Sequence, residues 1–390
     1  MGTEELKTLA ITQIDAQQDQ LSKLALKIHS NPEVGFQEVK ASAWLTGYLE
    51  ENGFSIERGI CELPTAFRAS YGKGKPAIAV LAEYDALPGI GHGCGHNLIC
   101  TTAVGAGIAS KPAIDQLGGS ILVIGTPAEE AGTGKARMVE RGAFKDLDFA
   151  MMVHPGVIDM AAFHPLACHN VKVEFFGKAS HAASAPEAGI NALEALILSY
   201  NAINSLRQHI RSKERIHGII TDGGEAANIV PAHSAGNFTV RAEDDSHLGA
   251  LRERVVECLK GAATATGARL EYKWSDYYYA AMKNNMTAAR LFADNAKSIG
   301  RTAIFPDPNR PTGSTDMGNV SQVVPSIHPF VGIAPLEVSL HSVEFAEAAA
   351  SEVGIKGMLD AARALAMTVV DLLAVPDIMT KVKEEFKQGK

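Results

Sequence analysis

Apolar residues recur at helical spacing along the first thirty positions, with Ile14, Leu21, Leu24 and Ile28 on one stripe, and the pattern stops at Asn31-Pro32. Proline lacks a backbone donor and clashes with the preceding turn, so the spacing predicts one helix ending there. A second helix is predicted from about 38 to 52, burying Trp44, Leu45, Tyr48 and Leu49, with Gly53 as a left-handed cap. Three short apolar runs follow, Ala77 to Ala82, Ser120 to Ile124 and Phe149 to Val153, separated by helix-like segments at 101–117 and 134–144. Such runs suit buried strands, and strands alternating with helices predict a mostly parallel, doubly wound α/β sheet.

From about 165 the texture changes. His169 to Phe176 alternates as a half-exposed strand, Asn191 to Arg211 is a long amphipathic helix, Ile216 to Thr221 and Asn237 to Ala242 read as strands, a helix spans 246–266, and Leu270 to Trp274 is a final strand. The order β-α-β-β-α-β is the ferredoxin-like pattern. Beyond 280 the α/β texture resumes, with helices at 287–298 and 354–374 around an apolar run near Val323 to Ile333. The expected architecture is a discontinuous α/β domain, residues 1–165 and 279–390, interrupted by an inserted ferredoxin-like α+β lid at 166–278. The charged tail from Lys381 to Lys390 reads as a solvated helix end.

Composition narrows the classes. The 390 residues carry a formal charge of −8, with 46% hydrophobic and 21% charged residues, which suits a globular protein and argues against disorder or a basic nucleic-acid-binding surface. No stretch approaches ~18 uninterrupted apolar residues, and the opening residues lack the basic and apolar regions of a leader. A cytoplasmic protein engaging neither membrane nor nucleic acid is expected. The five cysteines form no Cys-x2-Cys pair and suit no disulfide framework. The thirteen histidines say more, because several stand in glycine-rich or proline-flanked loops.

Four loops could carry chemistry. Glu83 to Pro88 leads into Gly89 to Asn97; Gly125 to Glu130 is the second; His154-Pro155-Gly156 is the third; and Leu340-His341-Ser342 lies far downstream. The first three follow predicted strands, and open α/β sheets bind ligands outside the carboxyl ends of their strands. Cys94 and His96 can both project from a glycine-flexible loop as metal ligands. Adjacent Glu129 and Glu130 would repel if buried, unless a cation or a proton intervenes; one can bind metal while the other acts as a base. Taken singly, His154 reads as a hydrogen-bonded structural residue, Cys94 as an inert small hydrophobe and the tandem glutamates as solvated surface. Their recurrence at three successive strand ends outweighs those readings. The dinucleotide fingerprint is broken at His96, Gly132 to Ala136 lacks the upstream glycine and following Ser or Thr of a phosphate loop, and no Gly-x-Ser-x-Gly elbow occurs.

With these residues the chain resembles the M20 metallopeptidase and amidohydrolase family, in particular the aminoacylase-1-like-2 and aminobenzoyl-glutamate hydrolase branch of its subfamily D. The matching segments are Ile28 to Glu38, Ala82 to Pro88, Gly91 to Leu98, Thr126 to Glu130, Gly177 to Ala183, Asn228 to Pro231 and Gly313 to Asp316. The resemblance implies a site for two divalent ions held by Cys94, His96, Glu130, His154 and His341, with Glu129 as catalytic base and Asp85 orienting the site. Glu83 and Cys94 replace a His and a bridging Asp found in many members, which fits subfamily D and leaves zinc, manganese, cobalt and nickel open. It further implies that the α/β part is the catalytic domain and the lid a dimerisation domain. His181 would then serve the site of a second copy in a homodimer, and Asn228, Arg241, Ser314 and Thr315 would bind substrate. His328 reads as structural. The implied activity is hydrolysis of the amide bond of an N-acyl amino acid, aminobenzoyl-glutamate or a dipeptide-like compound, with a β-alanyl-type dipeptidase or a non-catalytic metal-binding protein as alternatives.

Overall fold

The three apolar runs form the middle of one sheet. In the computed structural model, which describes residues 1–305, 307 and 313–389, the strands are β1 (Ser55–Arg58), β2 (Phe67–Lys73), β3 (Ala77–Ala82), β4 (Gly119–Gly125), β5 (Phe149–Met151), β6 (His154–Gly156), β7 (Ala167–Phe176), β8 (Arg215–Asp222), β9 (His233–Ala242), β10 (Arg269–Trp274), β11 (Ser326–Ile327) and β12 (Phe330–Gly332). The chain divides into two compact units, one of Met1–His164, Met282–Arg310 and Asp316–Lys390, the other of Pro165–Ala281 and Pro311–Thr315.

The first unit holds a six-stranded sheet in the order β1-β2-β4-β3-β5-β11. The pairings β4-β3, β3-β5 and β5-β11 are parallel, while β1-β2 and β2-β4 are antiparallel. Every residue of β3, β4 and β5 is buried, so these stretches read as unbroken apolar runs rather than alternating ones. Their side chains still divide between two faces. Ile78, Val80, Ile121 and Val123 pack with Ile14, Leu21, Leu45, Leu49 and Leu365 on one side; Ala79, Leu81, Leu122 and Ile124 pack with Met138, Phe144 and Val320 on the other.

Several expectations are corrected here. β1 and β2 carry no sustained apolar signal, since β1 has one partly covered residue and β2 buries only Phe67 and Ala69; their place comes from pairing with β4. The first helix is two, Thr3–Ala16 and Gln18–His29. The polar stretch Asp15 to Gln20 buries nothing, so a break at Gln17 costs no core contact, and the apolar stripe cannot reveal it. The helix expected at 101–117 begins at His96 and runs to Ala109, followed by a second at Lys111–Leu117. All fourteen residues of the first are buried, which erases the amphipathic period that marks a boundary. The terminal helix Pro376–Gln388 is not simply solvated: Val382 is fully buried and Glu385 accepts the N–H groups of Met286 and Thr287. Lys390 lies outside the described residues.

The second unit is a four-stranded antiparallel sheet in the order β10-β7-β9-β8, with helices Ala192–Leu206 and Asp245–Thr266 between its strands in the chain. Leu196, Ile203, Leu251, Val255 and Leu259 share a core with Val171, Val173, Phe175, Phe238 and Val240. Asn191 and Asp244 cap the helices, accepting from the N–H groups of Glu194 and His247.

In the first unit the helix starting at His96 lies close on β4. A Cβ placed on Gly107 would come within 2.4 Å of Val123 Cγ2. Gly107→Val is therefore expected to destabilise the protein by about 1–3 kcal/mol through overpacking, measured as a lower denaturation midpoint, although a mid-helix glycine would ordinarily be improved by a side chain.

Candidate metal centre

Glu83 and Asp85 follow β3, Glu129 and Glu130 follow β4, and His154 opens β6 two residues beyond β5. His154 and His96 are thus not in loops: β6 pairs in parallel with β12, and Gly95, at φ 76°, sets His96 in the first turn of its helix. A Cβ on Gly95 would lie 2.5 Å from Pro155 Cγ, so glycine alone lets this turn close on the β6 strand. Gly93 is as constrained, with Ile90 Cγ2 at 2.7 Å and Ser342 O at 3.2 Å from its would-be Cβ, and its carbonyl accepts His341 N–H at 2.9 Å.

Glu129 and Glu130 begin a four-residue helical turn bracketed by two left-handed residues, Ala128 at φ 58° and Thr133 at φ 48°. His341 is also left-handed, at φ 65°. Non-glycine residues in this region are strained and need support. Glu38 supplies some: it is fully buried, accepts Ala128 N–H at 2.8 Å with Oε1, and accepts the Thr65 hydroxyl at 2.9 Å with Oε2.

The imidazoles are oriented from behind. His96 Nδ1–H donates to Asp85 Oδ1 at 3.0 Å, and Asp85 Oδ2 accepts Glu130 N–H at 3.0 Å. His154 Nδ1–H donates to the Pro155 carbonyl at 2.6 Å, turning Nε2 to within 3.4 Å of Cys94 Sγ. His341 Nε2 lies 3.5 Å from Glu130 Oε2, and His96 Nε2 lies 3.6 Å from Glu83 Oε2 and 3.8 Å from Glu130 Oε1. Donor atoms of Cys94, His96 and His154 fall within 4.8 Å of one another, as do those of Cys94, Glu130 and His341, and of His96, Glu129 and Glu130. His96 Nε2, Glu83 Oε2 and Glu130 Oε1 are buried without a hydrogen-bond partner. Buried polar atoms seldom go unmatched, and imidazole, thiolate and carboxylate converging in this way fit divalent cations.

Electrostatics agree. Burial, followed by the charges of Glu83, Asp316 and Glu130, pushes the Glu129 carboxyl well above its usual range. Burial lifts Asp316 to about 6 against the pull of Lys135, and raises the Cys94 thiol. Burial works against an ionised Asp85, but His96 and the turn N–H groups hold it low; His96 is raised in return despite its own burial. His154 is lowered to about 4, first by burial and then by His96. Without a cation these acidic groups are pushed toward their protonated forms, a pressure that a bound cation would relieve.

Seven of the expected site residues, Asp85, Cys94, His96, Glu129, Glu130, His154 and His341, meet in the first unit. The other five belong to the second. There His181 is exposed, with Nδ1 accepting the N–H groups of Ala183 and Ser184 at 3.2 Å each, which leaves Nε2 as its donor nitrogen. Ala182 N–H donates to the carbonyl of Asn228, an exposed residue. Arg241 Nη1 donates to Ser314 Oγ at 2.6 Å, Ser314 donates to Leu166 O at 2.7 Å, and Thr315 is buried. Three neighbours of the first-unit site were not read as part of the site from sequence. Glu38 underlies the Glu129 turn; Lys135 is buried among carboxylates; and His328, buried with both ring nitrogens unpartnered, has its ring 5.8 Å from that of His154.

A model of peptidase family M20/M25/M40 matches residues 79–364. The chain belongs to this family. As an M20/M25/M40 member it is a hydrolase acting on peptide or amide bonds. It is 38% identical to a Xaa-Arg dipeptidase from Mus musculus, over 98% of this chain and 93% of that protein. It is 30% identical to one of the subunits of p-aminobenzoyl-glutamate hydrolase from Escherichia coli K12, over 96% of this chain and 93% of that protein. Its fold matches the solved structure of a dinuclear metal binding M20 peptidase from Bacillus subtilis, with a TM-score of 0.71 and 20% identity over 92% of this chain and 99% of that one.

Burial raises Glu38 from 4.5 to about 7. An acid whose folded pKa is raised binds more protons folded than unfolded, so its contribution to stability falls as pH rises from about 4.5 through 7. Glu38→Gln mimics the protonated form, whose amide can donate to Thr65 while its oxygen still accepts from Ala128. Denaturant titrations should find the variant gaining on the parent as pH rises through that window; a gap that is flat with pH would contradict the assignment.

Proposed function

We propose that the chain is a metal-dependent amidohydrolase cleaving the bond between an acyl or aminoacyl group and an amino acid, dipeptide-like substrates included. The observation that carries this reading is the sharing of Cys94, whose sulfur belongs to one donor cluster with His96 and His154 and to another with Glu130 and His341. That arrangement supports two divalent ions side by side, and the solved Bacillus subtilis peptidase of this fold is described as dinuclear. Thiolate favours zinc, while the carboxylate and imidazoles also suit manganese, cobalt or nickel. Bound there, such ions would polarise the scissile carbonyl and make water a better nucleophile at neutral pH.

The remaining steps fall to side chains. Glu129 takes the proton from the attacking water and returns it to the leaving amine, while its neighbour Glu130 serves as a ligand. Asp85 fixes the His96 ring so that Nε2 faces the donors. From the second unit, His181 is assigned to stabilising the oxyanion through Nε2–H, and Arg241 with Asn228, Ser314 and Thr315 to holding the carboxylate of the amino acid, for which a guanidinium is well shaped. The relatives named above act, by their names, on amides whose leaving group is arginine or a glutamate. Xaa-Arg dipeptides, aminobenzoyl-glutamate and simple N-acyl amino acids are therefore the substrates to compare.

The proposed partner is a second copy of the chain, meeting through the second unit. Strand β8 forms an edge of its sheet and exposes Ile219 (62%) and Ile220 (45%). An exposed apolar edge strand invites pairing with another strand.

Glu129→Gln should lower kcat about 100- to 10,000-fold with metal content by mass spectrometry unchanged; undiminished turnover with metal bound would overturn the mechanism. Chelation should abolish turnover and one of the four metals restore it. Ile219→Lys should shift the mass by light scattering from dimer to monomer, and a native mass unaffected by the lysine would argue against this interface.

A further inference from the structure

Lys135 is the only lysine or arginine that is buried among the described residues. Its ammonium donates to Glu83 Oε1 and, at 2.6 Å, to Asp316 Oδ1, and its backbone N–H donates to Asp316 Oδ2 at 2.8 Å. The carboxylates of Glu83, Glu129 and Asp316 approach within 4.8 Å of one another, a grouping that by itself would suit a metal ion. Glu83 Oε2, the oxygen that Lys135 does not engage, is buried and unpartnered and faces His96 Nε2 at 3.6 Å. Stability alone does not account for this arrangement, because well-packed apolar groups in place of a buried ion pair are commonly no worse. An ammonium has three N–H donors, and Glu83 and Asp316 take two.

We infer that Lys135 is a resident cation of the site: it fills the Glu83–Glu129–Asp316 cluster in place of a further metal ion and acts as a positioning residue that holds Glu129 in register for proton transfer. A tethered ammonium does this without being exchanged or lost to a chelator. It also fixes Glu83, whose free oxygen borders the His96 donor, so that one side chain braces two walls of the site. The inference rests on the reading of Glu129 as proton acceptor.

The test compares the wild type, Lys135→Ala, the neutralised triple variant Glu83→Gln/Lys135→Ala/Asp316→Asn, and Glu129→Gln. Each is equilibrated with zinc or manganese and measured for bound metal by mass spectrometry, for kcat and for KM. Lys135→Ala is expected to bind one more ion per chain than the wild type and to lose kcat by about 100-fold, the scale of a small misplacement of a reacting group, with KM little changed. Added methylammonium, which can refill the cavity and donate, should recover part of kcat, whereas tetramethylammonium, which has no N–H, should not. An unchanged metal count in Lys135→Ala, or equal effects of the two amines, would overturn the inference. If Lys135→Ala does not fold, wild-type kcat in the triple variant would reduce Lys135 to a structural counter-ion and overturn the positioning role, and Lys135→Met, which keeps the stem without the ammonium, takes the place of Lys135→Ala for metal count and kcat. Full activity of Glu129→Gln would instead sink the reading of Glu129, while the metal count of the lysine variants would still report whether Lys135 holds a cation's place.

Discussion

Five carboxylates, of Glu83, Asp85, Glu129, Glu130 and Asp316, converge with the Cys94 sulfur at one end of a sheet, and the repulsion among them is the constraint the first unit is arranged around. Two like charges 4 Å apart repel by about 4 kcal/mol at an effective dielectric near 20, more than the ~1 kcal/mol net of an ordinary hydrogen bond. The protein answers part of this itself. His96 lies against Asp85, and Lys135 lies against Glu83 and Asp316. Cys94 lies 3.4 Å from His154 Nε2 and Glu130 lies 3.5 Å from His341 Nε2, contacts to imidazoles that could also serve a cation.

Two of these carboxylates, with Glu38, also hold the backbone. The turn that presents Glu129 and Glu130 runs between two left-handed residues, each costing of order 1–3 kcal/mol. Three N–H groups in and beside it are pinned by carboxylates from distant segments: Ala128 by Glu38, Glu130 by Asp85 and Lys135 by Asp316. Charge-assisted hydrogen bonds of this kind are stronger than neutral ones, and they act on the peptide groups that the left-handed residues would otherwise leave misdirected. Asp85 and Asp316 therefore have two functions each, one on a cationic side chain and one on the turn, and a change at either would disturb geometry and charge together.

This doubling explains what the sequence did and did not disclose. The proposed ligands and base were legible because thiol, imidazole and paired carboxylates at successive strand ends are hard to explain as packing. The sheet was legible wherever strands are buried on both faces. Glu38 and Lys135 were not, since each acts through partners about 90 and 180 residues away, and nothing local distinguishes a buried lysine in a short helix from a solvated one. His96 looked like a loop residue because its helix is buried all round, and the period that normally marks a helix start is missing. β1 and β2 depend on their neighbours in the sheet rather than on any apolar pattern of their own.

The division of the chain bears on how such an enzyme acquires its substrate. All the groups that converge on the candidate metal centre come from the first unit, whereas the residues proposed to hold the substrate's carboxylate and oxyanion come from a unit with its own sheet and its own hydrophobic core. A substitution in the second core does not touch the hydrogen bonds and ion pairs around Glu129, whereas Ser314 and Thr315 directly precede Asp316 in the chain. Because Asp85, Asp316 and Glu38 each tie charge to backbone, few changes near the first-unit site can be made singly. On the proposed reading the chemistry is confined by electrostatics to a narrow set of residues and the groups assigned to the substrate's carboxylate lie elsewhere in the chain, in keeping with relatives of similar length whose names describe different leaving amino acids on one kind of bond.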